Sequence, residues 1–337
     1  MKCNEYDCIL NLVDFLLLNA YSTKFKGLYQ GKAGIVLCLF EMAKYMDNEK
    51  IEDFAFELLL ESLTLTSKSK NIGFENGLSG IGFVLLYLIE NRLIEANFEE
   101  IFAEQLSIIQ SQLKEKDTFS EDDLLFVYFL ELLAHSYLRK KNIDMVSKIM
   151  DDVGNSLENN LKIFESIESV GEKFEILKRL DKYFKVATIC SNYHVKKSLI
   201  STYIELYKKA KVTCFWLTKY NLLQSIICEE DYFIFESMKD NTIKNIYSNV
   251  LTLAQRIDLL YLLNQADNRQ YEKQIHLLER DLFDWDNPQY EKQIIQSIPP
   301  NCSIAGYGSG IARLLLYWIY KENKRNSRDC SRFKYLF

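Results

Sequence analysis

The sequence predicts an all-α protein, an α/α-toroid of seven helical hairpins with an inner and an outer ring of helices. Three observations lead there. Proline and glycine are scarce, three and twelve in 337 residues, so helices can run without a breaker every few turns, and a many-stranded sandwich or barrel is disfavoured. Ten of the twelve glycines fall in three clusters, at 27–34, 73–82 and 306–310, and the clusters resemble one another. Elsewhere apolar residues recur at spacings of three and four, as in DDLLFVYFLELLAHSYLRK, SLISTYIELYKKAK and RIDLLYLLNQ, the period of an amphipathic helix.

The clusters form an internal repeat. Gly27, Gly31 and Gly34, and again Gly73, Gly77 and Gly80, share G-x-x-x-G-x-x-G-I and lead into an apolar run, while Gly306, Gly308 and Gly310 keep the last half of the pattern before IARLLLYWI. Aligning Gly34, Gly80 and Gly310 gives steps of 46 and 230 residues, the second five times the first. Seven units fit, the missing ones centred near 126, 172, 218 and 264, with Gly171 close to one centre. Repeats of this length hold two helices and their connections, the signature of stacked helical hairpins.

Glycine-rich turns ahead of apolar helices suit crowded helix starts, because glycine lets backbones approach and accepts dihedrals closed to other residues. The stretches between clusters, such as IEDFAFELLLESLTLTSK and NFEEIFAEQLSIIQSQLKEK, alternate apolar and charged faces and are expected as outer helices. The first and last units look alike and carry no polar capping face, which favours a closed ring over an open solenoid or two helical domains. The expectation is one domain over residues 1–337, with a short, basic, solvated tail at 321–337.

Composition narrows the function classes. With 48% apolar and 26% charged residues the chain can bury a core, so disorder is not expected. A net charge of -6, with the one cationic cluster between Lys321 and Lys334, offers no basic face to a nucleic acid. The opening MKCNEYDCIL places two acidic residues before its first apolar run, unlike a signal peptide, and no apolar stretch reaches the roughly 18 residues of a membrane span. A cytoplasmic location is expected. Eight cysteines without a C-x-x-C pair read as reduced thiols.

Three in-phase G-x-x-G-I turns opening apolar inner helices, at a period giving seven units, make the chain similar to the lanthionine synthetase C-like family. The resemblance implies a seven-fold α/α-toroid whose active members hold zinc at the turn end and add a cysteine thiolate to dehydroalanine or dehydrobutyrine in a peptide. Zinc suits that task because coordination lowers the thiol pKa. The family takes its ligands from a Cys in one unit and a Cys-His-Gly motif in the next. This chain has no Cys-His-Gly, and its sixth unit, around RIDLLYLLNQADN, has neither residue at the turn. Cys214 in KVTCFWLTKY matches the first ligand position, although a cysteine beside Phe215 and Trp216 also suits a core.

The family's His-Gly pair of the fourth unit is replaced by Val170-Gly171, and valine cannot move a proton. The family's aspartate before the third turn is matched by Asp122 or Asp123, candidate catalytic residues that are also ordinary for the first turn of a helix. Cys190 and His194 have a C-x-x-x-H spacing that a helix would place on one face, while His135 and His276 lie inside helical patterns. No cofactor is therefore expected, zinc being implied only for active relatives.

The expected function is that of a catalytically degenerate, peptide-binding protein associated with peptide modification. Tyr29, Gln30, Lys32, Glu75, Asn76, Tyr307 and Ser309 lie in the turns and either face the cavity or cap helices. Expected partners are a peptide substrate or a partner maturation enzyme. One alternative is a carbohydrate-active α/α-barrel enzyme pairing Glu75 with Asp281, Asp284 or Asp286, which flank Trp285. The other is a non-catalytic docking scaffold.

Overall fold

The structure, a computed structural model, describes residues 3–64, 70–137, 140–210, 214–224, 232–246, 251–265, 271–287, 289–300 and 302–337. Among these residues there are fifteen α-helices and no strand. They belong to two compact units, Met1–Glu115 with Val250–Phe337, and Lys116–Asn249.

The first unit begins with α1 (Cys3–Ser22), α2 (Lys32–Met46), α3 (Glu49–Thr64), α4 (Leu78–Glu90) and α5 (Phe98–Lys114). Two kinds of helix are present. α2 is buried without a gap from Lys32 to Ala43, and α4 from Leu78 to Leu88. An all-round apolar helix must be enclosed by neighbours, so these are the inner helices. By contrast α3 buries one stripe, Ile51, Ala55, Leu58, Leu59 and Ser62, and α5 buries Phe98, Phe102, Leu106, Ile109 and Leu113. Their other faces carry charge to solvent. Asn97 starts α5 by accepting the Glu99 N–H at 3.0 Å, and α2 stops at Asp47, which takes the left-handed conformation at φ 52°.

The second unit holds α6 (Phe126–Tyr137), led by a 3-10 turn over Glu121–Leu125, then α7 (Lys140–Lys162), α8 (Val170–Ala187), α9 (Lys197–Ala210), α10 (Phe215–Gln224) and α11 (Tyr232–Ile246). Here α7 packs on α6, α8 and α9, and α10 packs on α8 and α11. The chain then returns to the first unit as α12 (Leu253–Gln265), α13 (Glu272–Leu282), α14 (Tyr290–Ser297) and α15 (Ile311–Arg325). α15 is buried continuously from Ile311 to Tyr320, a third inner helix.

Within the first unit the inner helices stand side by side in the order α12, α15, α2, α4, with α13 against α12, α1 against α15 and α2, α3 against α2 and α5 against α4. The last repeat is therefore packed on the first, as a repeat that closes on itself requires. Helices α2, α4, α8 and α10 begin at residues 32, 78, 170 and 215, close to the expected period. α12 comes early, at 253, and α15 late, at 311, because the extra helix α14 lies in that interval.

The expected solvated tail is corrected by the structure. Phe333, Leu336 and Phe337 are buried at 2% exposure or less, and Tyr335 is buried beside them. The basic residues that suggested solvation are interleaved with four large apolar side chains, which fold back into the first unit. Among the described residues, no helix is long and apolar enough to cross a membrane.

Candidate functional site

The three glycine turns are built alike. Each inner helix starts at a glycine whose side chain can offer no cap: Gly31 before α2, Gly77 before α4 and Gly310 before α15. The first amides, which no helical carbonyl can satisfy, bond instead to the backbone seven residues upstream. Lys32 N–H and Ala33 N–H donate to the Phe25 and Lys26 carbonyls, Leu78 and Ser79 to Asn71 and Ile72, and Ile311 and Ala312 to Ile304 and Ala305. The turn folds so tightly on itself that a β-carbon at Gly31 would stand 2.5 Å from the Gly27 nitrogen, and one at Gly77 2.6 Å from that of Gly73.

This geometry moves the seventh repeat by three residues from the sequence alignment. Gly310 is equivalent to Gly31 and Gly77, and Gly306 to Gly27 and Gly73, while Arg313 stands where the first two repeats have Gly34 and Gly80. A second correction concerns why glycine is needed. No described glycine has a positive φ, so close approach, not a left-handed backbone, selects it.

In the corrected register Gly308, Tyr29 and Glu75 occupy one position in repeats seven, one and two, and their backbones are joined. Gly308 N–H donates to the Tyr29 carbonyl at 3.0 Å, and Tyr29 N–H donates to the Glu75 carbonyl at 2.8 Å. All three turns therefore lie at the same end of the first unit. The Tyr29 ring wedges between its neighbours, 5.7 Å from Tyr307 and 6.3 Å from Phe74 between centroids. A β-carbon at Gly308 would come within 2.9 Å of that ring.

The predicted turn residues divide into two groups. Glu75 and Asn76 are exposed, and Tyr29, Gln30 and Ser309 are half-buried. Lys32 and Tyr307 are buried and already engaged: the Lys32 ammonium pairs with Glu61 on α3, and the Tyr307 hydroxyl donates to the Leu336 carbonyl. Burial pushes the Tyr307 phenol up to about 12, with Arg313 opposing.

Below the turns lies a polar cluster that the glycine pattern did not reveal. Glu41, fully buried on α2, accepts from the Tyr87 hydroxyl of α4 at 2.8 Å and from Nε and Nη2 of Arg332 at 2.9 and 2.8 Å. Burial, then the Glu41 charge, pushes the Tyr87 phenol well above its ordinary value. Arg313, buried on α15, pairs with Asp258 of α12 and lies over the Tyr307 and Phe337 rings at 5.3 and 5.4 Å. Burial alone would lower the Arg313 pKa, but Asp258 and the two nearby phenols outweigh it and raise it. A sequence signal existed: a glutamate inside GIVLCLFEMA and an arginine inside IARLLLYWIY are charges on otherwise apolar inner helices.

Comparison with known families agrees with this architecture over the turns. Residues 24–173 match the family model of the lanthionine synthetase C-like proteins. The chain resembles that family. The matched stretch contains the first two glycine turns with α2 to α7 and ends as α8 begins. No curated protein matches the chain.

The lanthionine synthetase C-like family implies zinc, and the described residues do not fit it. Cys214 is buried, its thiol pushed well up by burial and by Asp181, to whose carboxylate it donates at 3.4 Å. That carboxylate also accepts the Trp216 N–H at 3.2 Å and so caps α10. Among the described residues no three His, Cys, Asp or Glu side chains gather as a metal site.

The remaining candidates take structural places. Asp123 is buried in a capping box with Ser120, accepting its N–H at 2.9 Å, and pairs with Lys116, while Asp122 is exposed. Val170 and Gly171 open α8 behind the Ser169 cap and make no turn, since a β-carbon on Gly171 meets only Ser169 Oγ at 3.7 Å. Cys190 and His194 lie in the connection between α8 and α9, so the helical spacing does not apply to them. His135 on α6 and His276 on α13 are exposed. Trp285 stacks on Phe283 at 5.3 Å and packs on Tyr290 at 4.9 Å, which commits its ring to packing beside the exposed Asp281, Asp284 and Asp286.

Proposed function

We propose that this protein is a catalytically degenerate relative of the lanthionine cyclases, which binds a peptide at the glycine-turn end of the first unit. The observation that carries this reading is the contrast between its turns and its ligands. The turns of repeats seven, one and two are joined by backbone hydrogen bonds through Gly308, Tyr29 and Glu75, whereas the Cys-His-Gly ligand motif has no counterpart. The rim would use the exposed Glu75 and Asn76 and the half-buried Tyr29, Gln30 and Ser309 beside the linked backbones. Peptide recognition by such a rim needs no metal, only a preformed concave edge with a few polar groups.

The test is a titration of purified protein with a synthetic peptide carrying one cysteine and one dehydroalanine. Saturable binding is expected, with the peptide's free thiol undiminished. Bound zinc is expected below about 0.2 equivalents by elemental analysis, because a coherent donor set is what makes metal binding strong. Near-stoichiometric zinc together with loss of the peptide thiol would overturn the reading.

A further inference from the structure

The segment after α15 is held as a ligand is held. Residues 324–329 are exposed, and Ser327, at φ 54°, turns the chain back. Residues 330–337 then cross all four inner helices of the first unit. Arg332 makes its paired bonds to Glu41 on α2 beside Tyr87 on α4. The Phe333 ring lies 5.7 Å from Tyr320 of α15, and Phe337 lies 5.0 Å from Tyr261 of α12 and 6.1 Å from Tyr317. The Leu336 carbonyl accepts from Tyr307 and, at 3.4 Å, from Arg313.

A segment that served only to fill a core would not need this chemistry. Glu41 is a fully buried carboxylate within the apolar run that follows Lys32 on α2, and an apolar pair of similar size would commonly be neutral or more stabilising there. What the ion pair adds is selectivity for a cation arriving at that point. The segment is irregular apart from a 3-10 turn over Ser331–Tyr335, and it joins the inner helices by side chains and one carbonyl, not by a ladder. This is how an added peptide sits in a groove, with side-chain pockets giving specificity.

We propose that the face of α2, α4, α12 and α15 is a docking site for a peptide bearing a basic residue, then an aromatic residue, then aliphatic and aromatic residues, and that residues 330–337 are its resident occupant. A peptide of that chemistry displaces the resident by offering its own cation to Glu41. The inference rests on the peptide-binding reading above and names the class of peptide.

Hydrogen exchange on the full chain tests it, with the probe a synthetic peptide of residues 329–337 that carries serine for the cysteine. Saturating peptide is expected to speed exchange of the resident Phe333 to Phe337 amides about tenfold, to the level of local opening, while α4 amides stay unchanged. A probe with glutamate in place of its arginine has no such effect. In the full-length Arg332→Ala variant the resident is weakened, so the unaltered probe binds about tenfold more tightly. Should Arg332→Ala perturb folding, Lys334→Ala, at an exposed position, serves as a second variant that leaves probe affinity unchanged. Resident amides that exchange only with global unfolding at every probe concentration would overturn the proposal. If the dehydroalanine peptide binds while the resident stays closed, this inference fails and the peptide-binding reading stands. Displacement by the probe, with no binding of the dehydroalanine peptide, supports the docking site and overturns that reading.

Discussion

Replacing Gly34 by alanine tests the turn architecture most directly. Its β-carbon would stand 2.5 Å from the Tyr307 β-carbon and nearer still to the Leu28 carbonyl oxygen. Carbon atoms in contact are about 3.5–4.0 Å apart, so the overlap is about 1 Å or more. Overpacking of this kind costs about 1–3 kcal/mol. The upper end applies because the Leu28 carbonyl is backbone and the Tyr307 ring is fixed by Tyr29 and Arg313. Alanine's helix propensity returns about 1 kcal/mol, leaving a net loss of about 2 kcal/mol. At about 2–4 °C per kcal/mol, the melting temperature should fall by about 4–8 °C. Gly171→Ala is the control. Its β-carbon meets only Ser169 Oγ at 3.7 Å, so the same chemical change should be neutral or stabilise by up to about 1 kcal/mol. Thermal and urea unfolding followed by circular dichroism read both variants. A Gly34→Ala protein as stable as the parent would refute the idea that glycine is there for the contact between the first and seventh turns.

Glu41→Leu should cost about 3–5 kcal/mol, because Arg332 and the Tyr87 hydroxyl lose their shared acceptor, and the double change Glu41→Leu with Arg332→Met should recover most of it in a double-mutant cycle of urea midpoints. Site-resolved alkylation of native protein should label Cys8, Cys302 and Cys330 and spare Cys38, Cys190 and Cys214, whose thiols are buried and pushed well above their ordinary value of 9.0. Native labelling of Cys214 at the rate of Cys302 would contradict its place in the core. These thiols, and phenols such as Tyr87, Tyr183 and Tyr317 raised above 10.0, keep their protons to higher pH in the folded than in the unfolded chain. Their contribution to stability is therefore full below pH 9.0 and is lost as pH rises beyond it, so the urea midpoint should hold level up to that point and fall above it.

Much of the fold was legible because it depends on local features. An inner helix must be apolar all round, so GIVLCLFEMA and IGFVLLYLI announced α2 and α4, and the glycines that end each tight turn announced where they begin. The seventh repeat aligns wrongly on sequence because Gly310-Ile311 imitates the Gly34-Ile35 and Gly80-Ile81 steps that close the pattern. Only the hydrogen bonds from Ile311 and Ala312 to Ile304 and Ala305 identify Gly310 as the helix start. The last residues were misread for a different reason. Charge reads along the chain in a sequence, whereas the fold sorts it by direction, turning Arg332, Phe333 and Phe337 inward and leaving Lys334 outside. The Arg332–Glu41 pair joins residues 291 apart, and nothing local in either stretch specifies the other.

The repeat also explains why the polar cluster forms where it does. Glu41, Tyr87 and Tyr320 each lie ten residues after the glycine that starts their helix, Gly31, Gly77 and Gly310. Parallel helices of equal register carry equivalent positions to the same depth, so one glutamate and two tyrosines from distant parts of the chain reach one level of the first unit. Two of them join through the Tyr87 hydroxyl and Glu41, and the third receives Phe333, the residue after the arginine that Glu41 binds. The turns fix register by backbone bonds that any sequence with the right glycines can make. Side chains ten residues further on are then free to differ between repeats without disturbing the turns. On the docking proposal, selection among peptides falls to Glu41, ten residues beyond the glycine that starts α2, and adds to what the turn rim contributes.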